Sequence, residues 1–203
     1  MKGSFQRIGL VLAGAALAAV PALTGTLAKE DLKSGVAHLE KTRQGVLDAT
    51  ASLSEAQWNF KQAPDRWSIA EVVEHIAASE DALRGLVANQ VMTTPPLAER
   101  LPDPEQGDAF VAATVPDRSR KFQAPEGLQP TNRYGSPANA LKHFVESRAE
   151  TIEYLRTTEG LRDHAVDSPF GPKFDGYQWI LFCSAHSERH TKQILEVKAD
   201  PGF

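Results

Sequence analysis

Apolar residues recur along this chain at intervals of three, four and seven, and nowhere at intervals of two for long enough to define a strand. From Asp31 to about Leu53 the positions are Leu32, Val36, Leu39, Val46, Leu47 and Leu53, the period of a helix with one buried face. A second helix is predicted from Ser68, where Glu71 three residues on completes a capping box. Its apolar side carries Ile69, Val72, Val73, Ile76, Leu83 and Val87. Ser136 and Pro137 open a third, a cap followed by proline at the first helical position, with Leu141, Phe144, Val145, Ile152 and Leu155 as its stripe up to Gly160. The fourth starts after Asp175, with Gln178 three residues later, and runs to about Lys198 before Pro201 and Gly202. The pattern predicts an all-α four-helix bundle.

Between the second and third helices lies a stretch of another kind. Pro95, Pro96, Pro102, Pro104, Pro116, Pro125 and Pro130 punctuate residues 91–134, which argues against long regular helix. A connection of that length is either functional or folded in its own right, with residues 106–113 and 117–122 each able to supply a turn or two. It is expected to cover or flank the functional pocket.

The N-terminus reads as a processing signal rather than as part of the fold. Lys2 and Arg7 precede an uncharged apolar run over residues 8–20, closed by Pro21. That run is shorter than the roughly 20 residues a bilayer-spanning helix needs, and it matches a secretory signal peptide. Cleavage is expected after Ala28, with Ala22 as the second position, which leaves residues 29–203 as one bundle domain. No stable membrane insertion is expected after cleavage, and the location is periplasmic or secreted.

Composition narrows the function classes. Lysine and arginine number 22 against 26 aspartates and glutamates, a net charge of −4, so no overall basic field favours nucleic acid. A single cysteine, Cys183, excludes an intramolecular disulfide. The expected partner is a small-molecule substrate or ligand, with a homodimer left open.

Candidate chemistry rests on histidine. His186 and His190, in HSERH, stand four residues apart and project about 40° from one another on one helix face. They share an arc with Trp179, Cys183, Gln193, Ile194 and Val197, so they point inward, where an unpartnered imidazole is costly. His75, at the edge of the second helix's apolar arc, is the candidate third ligand for a divalent ion. Three histidines with open positions resemble catalytic metal sites, and imidazole suits both Zn²⁺ and Ni²⁺. The opposing reading makes all three hydrogen-bonded core residues. HSERH is not a zincin motif, because Glu188 lies about 200° from His186 and faces away. Around the triad, Glu71, Trp179, Cys183 and Gln193 are pocket candidates: Glu71 as an outer carboxylate or simply a cap, Cys183 as a fourth ligand or simply core. No catalytic general base is identifiable.

Two motifs carry a family resemblance. RWSIAEVVEHI, residues 66–76, resembles the second-helix motif of the DinB-like proteins, and PFGP at residues 169–172 followed by YQWILFCSAHSERHTKQI resembles their fourth-helix motif. The resemblance implies a four-helix bundle and a metal triad of His75, His186 and His190. It also implies a range of activities, from metal-dependent hydrolases to S-transferases that use low-molecular-weight thiols. Three functional readings follow: an exported metal-dependent enzyme of hydrolase or transferase type, a non-catalytic metal- or ligand-binding bundle, and a thiol-dependent S-transferase. The last fits an exported chain least, because such thiols are kept reduced in the cytosol.

Overall fold

The structure, a computed structural model, describes residues 25–203; the signal sequence expected over residues 1–28 lies almost wholly outside that range. Six α-helices follow in order: α1 (Lys29–Thr50), α2 (Glu55–Asn59), α3 (Ile69–Leu86), α4 (Pro104–Thr114), α5 (Pro137–Thr157) and α6 (Gly176–Lys198). Four of them, α1, α3, α5 and α6, form the bundle, so the four helices expected from periodicity are the four that build the core. Three of their four starts, those of α3, α5 and α6, are chemically marked. The Ser68 and Glu71 side chains exchange bonds with each other's backbone amides, Asp175 and Gln178 do the same, and Ser136 accepts from the Asn139 amide.

The core has two apolar halves. One gathers Leu39, Val87, Ile152, Leu155, Tyr177 and Ile180; the other gathers Val46, Val72, Ile76, Phe144, Ile194 and Val197. Along α1 and α6 the chain passes from the first half to the second, and along α3 and α5 it passes from the second to the first. Thus α3 and α5 run in the same direction. A parallel neighbour cannot be reached by a tight turn, so the chain must return along the bundle, a span of about 30 Å for 20 helical residues. The proline-rich stretch is that return.

It folds against the bundle as it goes. Helix α4 covers residues 106–113 as expected and extends beyond them, burying Val111 and Val115 against α6. No helix forms over residues 117–122. There Arg189 takes the carbonyls of Val115, Asp117 and Arg120, and the Asp117 carboxylate accepts from the Ser119 amide, so these groups are committed outside any helical ladder. A 3₁₀ turn at Glu126–Leu128 comes instead. Two further differences from the periodicity are short elements. Helix α3 ends in a π-helical turn, Val87–Val91, and an antiparallel hairpin pairs β1 (Ala165–Asp167) with β2 (Lys173–Asp175). Three-residue strands are too short to show an alternation. Behind the hairpin, Arg162 ties α1, α4 and the start of α6 together through Asp31, Asp108 and Asp175. Among the described residues no helix is long and apolar enough to cross a membrane.

Candidate metal centre

His75 projects from the first half of α3, and His186 and His190 from the middle of α6, where the two helices pack side by side. His75 and His190 are buried and His186 is partly exposed. Their Nε2 atoms converge: His186 Nε2 lies 3.3 Å from that of His75 and 3.2 Å from that of His190. Imidazole nitrogens bind zinc at about 2.0–2.1 Å, and two nitrogens this far apart would then subtend about 100° at one ion, between octahedral and tetrahedral values. The donor set therefore fits a divalent cation. Among the described residues no carboxylate or thiol joins the cluster.

The outward nitrogens decide which atoms are free. His75 Nδ1 is 2.8 Å from the Leu128 carbonyl, an acceptor only, so Nδ1 carries the proton and Nε2 a lone pair. His190 Nδ1 is 2.8 Å from Gln193 Oε1 and is protonated for the same reason. Two lone pairs thus face His186 Nε2, which has at most one proton to offer. At least one acceptor in this cluster has no protein donor, and a bound cation satisfies all three at once. Electrostatics agree. Burial and the neighbouring imidazoles hold His186 well below its ordinary pKa. Burial, His75 and the arginines 118 and 189 bring His190 down to about 3, against the pull of its Gln193 bond. Burial and the Arg133 charge lower His75 despite the Leu128 bond. All three are neutral at pH 7, the form a metal requires.

The walls are aromatic and the supports come from the returning connection. Trp67 packs on the His75 ring with centroids 5.0 Å apart, and Phe182 stacks on His186 at 6.2 Å and 14°. Glu74, the neighbour of His75, accepts the amides of Thr131, Asn132 and Arg133 and the Arg133 guanidinium. Burial works to raise its pKa, and these bonds outweigh that and hold it below the carboxylate norm. Glu74 thereby clamps the segment whose Leu128 carbonyl meets His75, so the connection does flank the triad.

The remaining sequence candidates divide. Gln193 sits at the triad. Glu71 does not: its carboxylate is engaged by the Ser68 amide at 2.7 Å and by Lys61 at 2.7 Å, facing a cleft of about 480 Å³ on the other side of the helix N-terminus. Cys183 points into the bundle, 3.0 Å from Glu80, and burial raises its thiol pKa. Trp179 is one ring removed, packed on Phe174 and on Phe182. Glu188 faces away and pairs with Lys192. Periodicity had no means of finding the Leu128 carbonyl, Phe182 or the Glu74 clamp. Glu74 carried one available signal, a charged residue set between Val73 and His75 on a helix whose neighbouring positions Val72, Val73 and Ile76 are core.

Similarity over most of its length places the chain among known proteins. It is 25% identical over 147 residues, 72% of its length and 86% of the relative's, to the uncharacterized protein YuaE of Bacillus subtilis (strain 168). Its fold is similar to that of YfiT from Bacillus subtilis, described as a probable metal-dependent hydrolase with an unusual four-helix bundle topology. That likeness has a TM-score of 0.53 at 16% identity and covers 87% of this chain and 91% of YfiT. The DinB superfamily pattern matches residues 38–194, from α1 to the last turns of α6. With its bundle, its parallel α3 and α5 and its clustered histidines, the chain belongs to the DinB superfamily.

Proposed function

We propose that His75, His186 and His190 hold one divalent ion, Zn²⁺ or Ni²⁺, and that the protein is a metal-dependent enzyme of the hydrolase type. The observation that carries the reading is the convergence of three Nε2 atoms with two of the outer protons already fixed on Nδ1. A divalent ion at such a site supplies Lewis acidity and lowers the pKa of a bound water or thiol. The protein's own part is positional. The Leu128 carbonyl and Gln193 orient two imidazoles, while Trp67 and Phe182 keep water from their faces. Among the described residues no carboxylate is poised as a base: Glu71, Glu74, Glu80 and Glu188 are each committed to other partners. The description of YfiT as a probable metal-dependent hydrolase supports hydrolysis over thiol-dependent S-transfer.

Alanine at His75, His186 or His190 should each reduce bound metal, measured by elemental analysis, and abolish any metal-dependent hydrolysis across a panel of esters, amides and phosphoesters. His38, His143 and His164 should be dispensable for metal. His38 is exposed, His143 is bonded to Asp81 at 2.6 Å, and His164 to the Thr94 carbonyl at 2.8 Å. Full metal content in His75→Ala would sink the shared site, and stoichiometric metal without turnover would favour the non-catalytic bundle. We propose further that the chain is exported, supported by Lys2, Arg7 and the apolar run over residues 8–20. Intact-mass analysis of the native protein should find a start near Lys29, and a chain beginning at Met1 would overturn export.

A further inference from the structure

Gln193 touches His190, but an amide has two ends with opposite roles. Only the oxygen can accept from Nδ1–H; the nitrogen would donate, move the imidazole proton to Nε2 and occupy the very atom that faces the triad. Something has to choose the orientation, and Arg118 stands at that point. Its Nη1 donates to the same Gln193 Oε1 at 3.3 Å, and a guanidinium can only donate. Arg118 is in turn held by Glu196, one turn beyond Gln193 on α6, through Nε and Nη2 at 2.7 Å each. The arginine comes from the returning connection, at the bend after α4.

We propose that Arg118 is a positioning residue: by holding the Gln193 amide oxygen toward His190, it fixes His190 in the Nδ1-protonated tautomer and leaves Nε2 free for the metal. The inference rests on the metal-centre reading above. It has a sign that separates it from simple electrostatics. A guanidinium near a dication repels it, so removal of the charge alone would tighten metal binding. Loss of an orienting contact weakens it.

The test is a double-mutant cycle between Arg118→Met and Gln193→Glu, read as Zn²⁺ affinity by competition with a chromophoric chelator. A carboxylate accepts at either oxygen and has no orientation to choose. Removing Arg118 should therefore weaken Zn²⁺ binding about tenfold or more when residue 193 is glutamine, and not at all when it is glutamate. In parallel, long-range ¹H–¹⁵N spectra of the metal-free protein should show His190 protonated on Nδ1 in the wild type and as a tautomer mixture in Arg118→Met. Equal or tighter binding by Arg118→Met, an equal loss in both backgrounds, or wild-type His190 protonated on Nε2 would overturn the proposal. A wild type that binds no Zn²⁺ would instead overturn the metal-centre reading, and the tautomer spectra would still judge Arg118.

Discussion

Two clusters of buried polar side chains lie within a turn of each other on α6, and they are built to opposite rules. The first surrounds Arg148, which is fully buried between the two apolar halves of the core. Its five N–H groups are all used: Nε and Nη2 on the Glu80 carboxylate at 2.7 Å each, Nη2 again on Ser187, and Nη1 on Thr42 and the Leu39 carbonyl. Cys183 adds a donor to Glu80. Nothing is left over for a ligand. The second cluster is the triad, where the outer nitrogens of His75 and His190 are matched and the inner ones are not. Burial is common to both and therefore says nothing about function. What separates a structural polar layer from a binding site here is whether the hydrogen-bond ledger closes without a guest.

Each side of that contrast can be tested, and the largest effect belongs to the saturated layer. Replacing Glu80 by alanine leaves a buried guanidinium without its counter-charge and should cost about 3–5 kcal/mol in urea unfolding. Zn²⁺ should not restore the lost margin selectively, because the layer offers it no ligand. At the triad the expectation reverses. His190→Ala in the metal-free protein removes one of two imidazole lone pairs that compete for the single proton His186 Nε2 can offer, and should change stability by less than the Glu80 variant does. The wild type should gain about 2.7 kcal/mol at free metal 100-fold above its Kd, seen as a higher Tm that chelator removes. A triad that melts identically with and without chelator would erase the distinction.

Counted per side chain, the smallest effect is in pH. The folded pKa values of the three histidines lie below the unfolded reference of about 6.5, with His190 near 3. The unfolded chain therefore takes up protons that the folded one refuses as pH drops. Their contribution to stability is complete above about pH 6.5 and is lost as pH falls toward 3. Each histidine adds up to about 1.4 kcal/mol per pH unit to that slope. Thermal melts of the metal-free protein from pH 7.5 to 5.5 should fall, and His190→Gln should flatten the fall. A flat wild-type profile would mean the imidazoles are already accessible to protons.

How much of this was legible beforehand depends on which groups carry the information. Helix periodicity and three caps, at Ser68, Ser136 and Asp175, were enough for the four bundle helices, because side-chain spacing encodes them directly. HSERH placed two candidate ligands on one face, since i and i+4 neighbours are fixed by helix geometry alone. The parallel course of α3 and α5 was not legible: direction depends on which apolar halves meet, and a proline-rich sequence of over 40 residues records only that the route is long. Cys183 shares the His186 arc in projection and still ends at Glu80, because one helical turn is enough to move a short side chain from one buried layer to the next. The Asp117 bend escaped for a similar reason, its carbonyls being claimed by Arg189 from a helix some 70 residues away.

The contact between His75 and Leu128 also bears on how this site can change over generations. The acceptor is a main-chain oxygen, so it is supplied by any residue that keeps the 3₁₀ turn. Substitutions at position 128 can accumulate without disturbing the imidazole, and an alanine scan will pass over the position in silence. Insertions or deletions between α4 and α5 are another matter, since shifting the turn by one residue moves the oxygen itself. The outer support of His75 is thus inherited as a loop length and shape, while that of His190 is inherited as two particular side chains.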